Sequence, residues 1–181
     1  MHILVVTGAS GAGKTATVRA LAARNIPGVQ CFYFDSIGVP TAEDMVRDYG
    51  GGEQWQAAAT QEWLVRLGAL PADVQLAILD GQTRPSVVLA SAARAAPRAV
   101  HVTLLDCSSE VRRARLEGPR QQPELAGSRM DSWAAYLRGQ ADALNLTVLD
   151  TSMMTVPQAA DHLEAFALRL VGRPRQPPND A

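Results

Sequence analysis

The stretch "HILVVT" at 2–7 runs directly into "GASGAGKT" at 8–15, and "ATVRALAAR" at 16–24 follows without a break. The first six residues are mainly apolar and β-branched, as in a strand covered on both faces. The apolar spacing after Gly13 predicts a helix over 13–24. Gly8, Gly13, Lys14 and Thr15 satisfy the spacing G-x-x-x-x-G-K-[ST] between that strand and that helix, which is the context the pattern requires. Glycines let the backbone N–H groups of Gly8, Ala9, Ser10, Gly11, Ala12 and Gly13 turn inward on an anion. The helix start, with Thr15 and Ala16, adds a positive dipole end. The expected ligand is a nucleoside triphosphate, with Lys14 near its β and γ phosphates and Thr15 on a magnesium ion. Lys14 is the only lysine in the chain, every other residue of the Lys and Arg set being arginine. The one ammonium therefore occupies the position whose chemistry favours a compact point charge.

Working outward, short apolar runs alternate with longer helical patterns, the signature of βαβ units around a parallel sheet. Strands are predicted at 2–7, 30–34, 75–80, 99–106 and 146–150, and helices at 13–24, 41–49, 54–67, 84–95, 109–116, 130–143 and 156–170. The fold class is α/β, a three-layer P-loop NTPase arrangement with a five-stranded parallel sheet and helices on both faces. Thr41 and Ser108 stand where helix caps are expected, and Ser128 or Asp131 suits the cap of the penultimate helix. Gly50, Gly51 and Gly52 break the chain between two helices. One domain over 1–172 is expected, with an acceptor-binding insert at about 36–70, a lid at about 109–130 and a Pro-rich tail at 173–181.

A length of 181 residues suits one domain, and 47% hydrophobic content is enough for a core, which excludes a disordered chain. A net charge of −1 supplies no broad cationic field, which argues against nucleic acid as a partner. Cys31 and Cys107 both lie in apolar segments and read as core thiols of a reducing compartment. With no apolar run near the length of a membrane span and no basic leader before the first strand, a cytoplasmic protein without membrane insertion is expected.

Ligands of open α/β sheets lie beyond the carboxyl ends of the strands, which directs attention to the acidic residues there. Asp80 ends "LAILD" and suits a magnesium-holding carboxylate opposite Thr15, or a turn residue before Gly81. Asp35 ends "CFYFD". It suits the base that accepts a proton from an attacking hydroxyl, or a cap for the turn at 35–38.

These features together resemble the P-loop kinases of the nucleoside monophosphate kinase group, which includes adenylate, shikimate and gluconate kinases. Adenylate kinases carry "LDGFPR" after the third strand, and this chain reads "LDGQTRP", keeping Asp80, Gly81 and Arg84 in the same spacing. The resemblance implies that Arg84 grips an anionic or transferring group. Shikimate kinases carry a D-x-D pair after the second strand, whereas "FDSIG" keeps Asp35 and has Ile37 at the second position, which disfavours shikimate itself. The segment "EVRRARLEGPR" is similar to the lid of such kinases, which implies roles for Arg115, Arg112 and Arg120 on the phosphates. A solvated basic face is the alternative reading of these arginines. The stretch "LDTSMMTVPQAA" resembles the segment that packs on adenine, and the absence of N-K-x-D favours ATP over GTP.

The resulting expectation is an ATP- and magnesium-dependent phosphotransferase acting on a small-molecule hydroxyl or phosphate. Catalytic roles fall to Lys14, Asp35, Arg84 and Arg115, and metal binding to Thr15 and Asp80. An ATP-binding interaction module with slow hydrolysis, or a nucleic-acid 5′-hydroxyl kinase, shares the same loop. Trp55 and Trp63, eight residues apart, share a helix face and suit the core, the lining of an acceptor pocket being the alternative reading for one of them.

Overall fold

A computed structural model describes residues 1–95 and 99–172, so the tail at 173–181 lies outside the described residues. Strands β1 (His2–Thr7), β2 (Val29–Tyr33), β3 (Leu76–Asp80), β4 (Ala99–Asp106) and β5 (Thr147–Asp150) form one sheet in the order β2-β3-β1-β4-β5. Every pairing is parallel, so all five carboxyl ends meet at one edge. Val6 and Tyr33 both stand opposite Asp80, from β1 on one side and β2 on the other. The loop after β1, the end of β3 and the turn after β2 thus leave the sheet side by side.

Helices α1 (Lys14–Ala22), α2 (Ala42–Tyr49), α3 (Gly52–Gly68), α4 (Pro85–Ala95), α5 (Ser109–Glu117), α6 (Ser128–Ala143) and α7 (Val156–Leu170) make the crossovers and the outer layers. Side chains alternate across the sheet because successive strand residues point to opposite faces. Ile3 and Val5 therefore join Trp55, Trp63, Leu64 and Leu67 of α3 and Val88 of α4. Leu4 and Val6 join Val18 and Leu21 of α1 with Leu163 and Ala167 of α7. Burying each of the larger aliphatic side chains favours the fold by about 1.5–3 kcal/mol. Cys107 is buried and Cys31 half-buried, and burial pushes the Cys31 thiol up to about 11, consistent with core thiols.

The caps follow the local sequence. Thr41 accepts from the Asp44 N–H at 3.1 Å, and Ser108 from Val111 at 3.3 Å. At α7, Thr155 and Gln158 cap each other's backbone N–H groups, a box in which the Thr cap alone is worth about 1 kcal/mol. The expected cap of α6 is different. Gly127 holds that position without a side-chain bond, and Asp131 is drawn instead into an ion pair with Arg112 at 2.8 Å. Gly50 and Gly51, at φ 85° and 144°, separate α2 from α3 in conformations that side chains resist. No described helix is long and apolar enough to cross a membrane.

Candidate functional site

The loop between β1 and α1 is shaped by close approach. A Cβ on Gly8 would lie 2.1 Å from the Leu105 carbonyl oxygen, and one on Gly11 2.8 Å from Arg112 Cγ, so neither position admits a side chain. Gly13 at φ 90° starts α1 with no side-chain cap, which leaves the first-turn amides free of any side-chain acceptor and suited to an anion. Lys14 is buried and donates to the Ala9 carbonyl at 3.1 Å, holding its ammonium over the loop. Burial lowers its pKa to about 8, against the pull of Asp80 and Asp35 and with the push of Arg120.

Two cavities meet on Lys14. One, of about 630 Å³, runs from Gly11, Gly13 and Ala16 across Arg115 to Thr151, Met154, Val156 and Ala159. The other, of about 200 Å³, is lined by Ser10, Lys14, Thr15, Arg19, Asp35, Asp80, Gln82 and Arg120. Lys14, Thr15, Arg19 and Arg120 line both. The smaller cavity is therefore the junction between the loop and whatever lies beyond β2 and β3.

Within it, Asp80 is buried, and its Oδ1 has no hydrogen-bond partner. Burial raises its pKa, while the Thr15 hydroxyl and Lys14 pull it back. An enclosed carboxylate oxygen without a donor, beside a hydroxyl and next to a phosphate loop, fits a hard divalent cation. Magnesium takes one or two protein oxygens and completes its shell with phosphate and water. Asp35 is exposed and lines the same cavity, and its charge reaches both Lys14 and Asp80.

The three arginines expected on the lid separate. Arg120 lines both cavities. Arg115 lines the larger one, but its guanidinium bonds the Gly11 carbonyl at 3.3 Å and the Thr151 hydroxyl and carbonyl at 3.0 and 2.7 Å. It thereby ties the loop to the segment after β5. Arg112 departs from the expectation that it shares the phosphate face. It is buried and bonds Asp131 at 2.8 Å, the Cys107 carbonyl at 2.8 Å and Asp106 at 3.5 Å, and it lines neither cavity. A guanidinium enclosed this way must be neutralised locally, and two aspartates do so.

Arg84 also departs from the expected anion contact. Its Nη1 donates to Gln56 Oε1 at 2.7 Å, its Nη2 pairs with Glu53 at 3.7 Å, and its Cζ lies 5.0 Å from the Trp133 ring centroid. It does not line the junction cavity. Gln82, by contrast, does so and accepts from the Ser10 hydroxyl at 3.0 Å. Arg19 and Gln82 were not singled out from sequence. Arg19 follows Thr15 by four residues, the helical spacing that puts it on the same face, and that was the available signal.

Fold and site together can be compared with known proteins. No family model matches the sequence, and no curated protein matches it. Solved structures do. The Deinococcus radiodurans tunicamycin resistance protein aligns over 97% of this chain and 98% of its own, with a TM-score of 0.66 and 20% identity. A sugar kinase from Janibacter sp. HTCC2649 aligns over 93% and 94%, with a TM-score of 0.60 and 20% identity. The Acinetobacter baumannii shikimate kinase in complex with shikimate aligns over 94% and 93%, with a TM-score of 0.58 and 17% identity. The chain has the P-loop kinase fold. At these identities the likeness is one of architecture, covering the parallel sheet and the helices on its two faces.

Proposed function

We propose that the protein is a phosphotransferase that moves the γ-phosphoryl group of ATP to a hydroxyl of a small molecule. The observation that carries this is the junction cavity, which Lys14, Thr15, Asp80 and Asp35 line together with Ser10 of the P-loop. A second, exposed carboxylate in the cavity that Lys14, Thr15 and Asp80 line favours a transferase over a module that only binds nucleotide. In a transferase the acceptor hydroxyl must be oriented and relieved of its proton.

In this reading the backbone amides of the loop and Lys14 hold the phosphates, and Arg115 fixes the loop against Thr151. Thr15 and Asp80 would hold a magnesium ion, which supplies charge that screens the phosphate oxygens. Asp35 accepts the acceptor's hydroxyl proton as its oxygen bonds to the γ phosphorus and the bond to the bridging oxygen breaks, leaving ADP. Arg120 spans donor and transfer cavities and neutralises charge on the group in flight. The neighbouring kinases support the assignment of a small-molecule acceptor at the level of reaction class.

The test is acceptor-dependent ADP release from ATP across a panel of hydroxyl compounds, with Asp35→Asn in parallel. The variant should bind ATP as the parent does and transfer at least about 100-fold more slowly. ATP binding with no acceptor-dependent turnover across the panel would overturn the reading.

A further inference from the structure

We infer that the acceptor is a neutral, hydroxyl-bearing molecule with a planar ring, and that it lies against an aromatic wall on α6 rather than in the α2–α3 insert. This rests on the phosphotransferase reading and names its substrate class. Two cavities compete for the role. One, of about 510 Å³, lies between Ile37, Pro40, Tyr49 and Trp55. It shares no lining residue with the junction cavity. The other, of about 670 Å³, is lined by Gln82, Leu125, Met130, Trp133 and Tyr136, and Gln82 also lines the junction cavity. A molecule in the second cavity can pass a hydroxyl across Gln82 towards Asp35.

The lining selects the chemistry. Trp133 and Tyr136 stack with ring centroids 5.3 Å apart and planes 22° from parallel, so each covers a face of the other, and the exposed Tyr136 keeps its outer face as flat apolar surface in the lining. Leu125 and Met130 are half-buried beside it and add adaptable contact. The charges are one of each sign, Glu124 and Arg129, so the cavity has no net preference for an anion. Arg84, which would serve a phosphorylated acceptor, is engaged by Gln56 and Glu53 and stacks on Trp133. It therefore fixes the orientation of the wall. A volume of about 670 Å³ is within the range of sites for drug-sized ligands, roughly 300–1,000 Å³.

The probes are three matched sets: neutral nucleosides and phenyl-bearing diols, ring-free polyols, and sugar phosphates. Each is offered to the protein with a non-hydrolysable ATP analogue, and binding is read by saturation-transfer NMR; turnover with ATP is read separately. The first set should bind and turn over, and Tyr136→Ala should weaken its binding at least tenfold. The same change should raise KM with little effect on kcat and leave ATP affinity unchanged. Tyr136 is exposed, so its removal spares the core, and Tyr136→Phe should restore binding. Turnover confined to polyols or sugar phosphates would overturn the inference, as would ring compounds whose binding ignores Tyr136→Ala and Met130→Ala. Tyr136-dependent binding of ring compounds without turnover would instead reject the phosphotransferase reading and leave the ring site standing.

Discussion

Trp63 donates its indole N–H to the backbone carbonyl of Phe34 at 3.0 Å, so α3 anchors the residue immediately before Asp35. Trp63 and Phe34 are both buried, and Phe34 also meets Trp55 edge-on at 6.0 Å. The two tryptophans expected in the core thus have a positional consequence, because they set the root of the turn that carries the proposed base. Trp63→Phe keeps an aromatic side chain but removes the donor and part of the buried volume, leaving a buried carbonyl short of a partner. We expect a loss of about 1–3 kcal/mol in stability. The turnover number should fall further than ATP affinity does. Denaturant titration with steady-state kinetics measures both, and a folded variant with undiminished kcat would break the link between α3 and Asp35.

Gly81 makes a second constraint on the same turn. A Cβ there would lie 2.6 Å from Phe34 Cβ, which cannot be relieved by a side-chain rotation alone. Gly81→Ala should therefore cost about 1–3 kcal/mol through overpacking and move Asp35 away from Asp80. Gly139 in α6 has nothing within 4 Å of its would-be Cβ. Gly139→Ala should raise stability by about 0.5–1 kcal/mol through helix propensity. Opposite shifts in melting temperature are the expected result, and equal shifts would reject the packing argument.

The lid arginines should divide by phenotype. Arg112→Ala leaves Asp106 and Asp131 without their shared cation and opens space beneath the loop at Gly11. Removing a charged hydrogen-bonding partner of this kind costs about 2–3 kcal/mol, with the half-exposed Asp131 limiting the loss. ATP affinity measured well below the melting temperature should change little. Arg120→Ala, at an exposed position on both cavities, should leave stability intact and slow transfer instead. Identical phenotypes in the two variants would undo the separation.

The reach of the sequence is visible in these same residues. The P-loop could be read because strand, glycine spacing and helix are local, and the five strands because apolar runs record burial on both faces. That Asp35 and Asp80 stand near one edge of the sheet could be read because every parallel strand delivers its end there. Arg112 and Arg115 could not be told apart, since helical spacing fixes a face but not which partners from β4, β5 and α6 approach it. The surroundings of Arg84 could not be read for the same reason. Its spacing from Asp80 is local, whereas Gln56, Glu53 and Trp133, which engage it, come from α3 and α6.

Lys14 gives a prediction whose sign is fixed by burial. Its ammonium titrates at about 8 in the protein against 10.5 for an ordinary lysine, because it is taken out of water more than Asp80 and Asp35 can offset. Between those two values the unfolded chain holds a proton that the native protein lacks, so the contribution of Lys14 to stability rises with pH across that interval and is lost as pH falls towards 8. Phosphates arriving beside Lys14 reverse the imbalance, because two or more anionic oxygens favour the charged amine. ATP binding should then take up a proton above about pH 8, and affinity should decline as pH rises beyond it. Calorimetry at about pH 9 in two buffers of different ionisation enthalpy measures that uptake directly. Lys14→Arg keeps its charge throughout this range and should abolish the uptake while weakening binding. Equal apparent enthalpies in the two buffers for the unaltered protein would show that binding takes up no net proton, and would overturn the prediction.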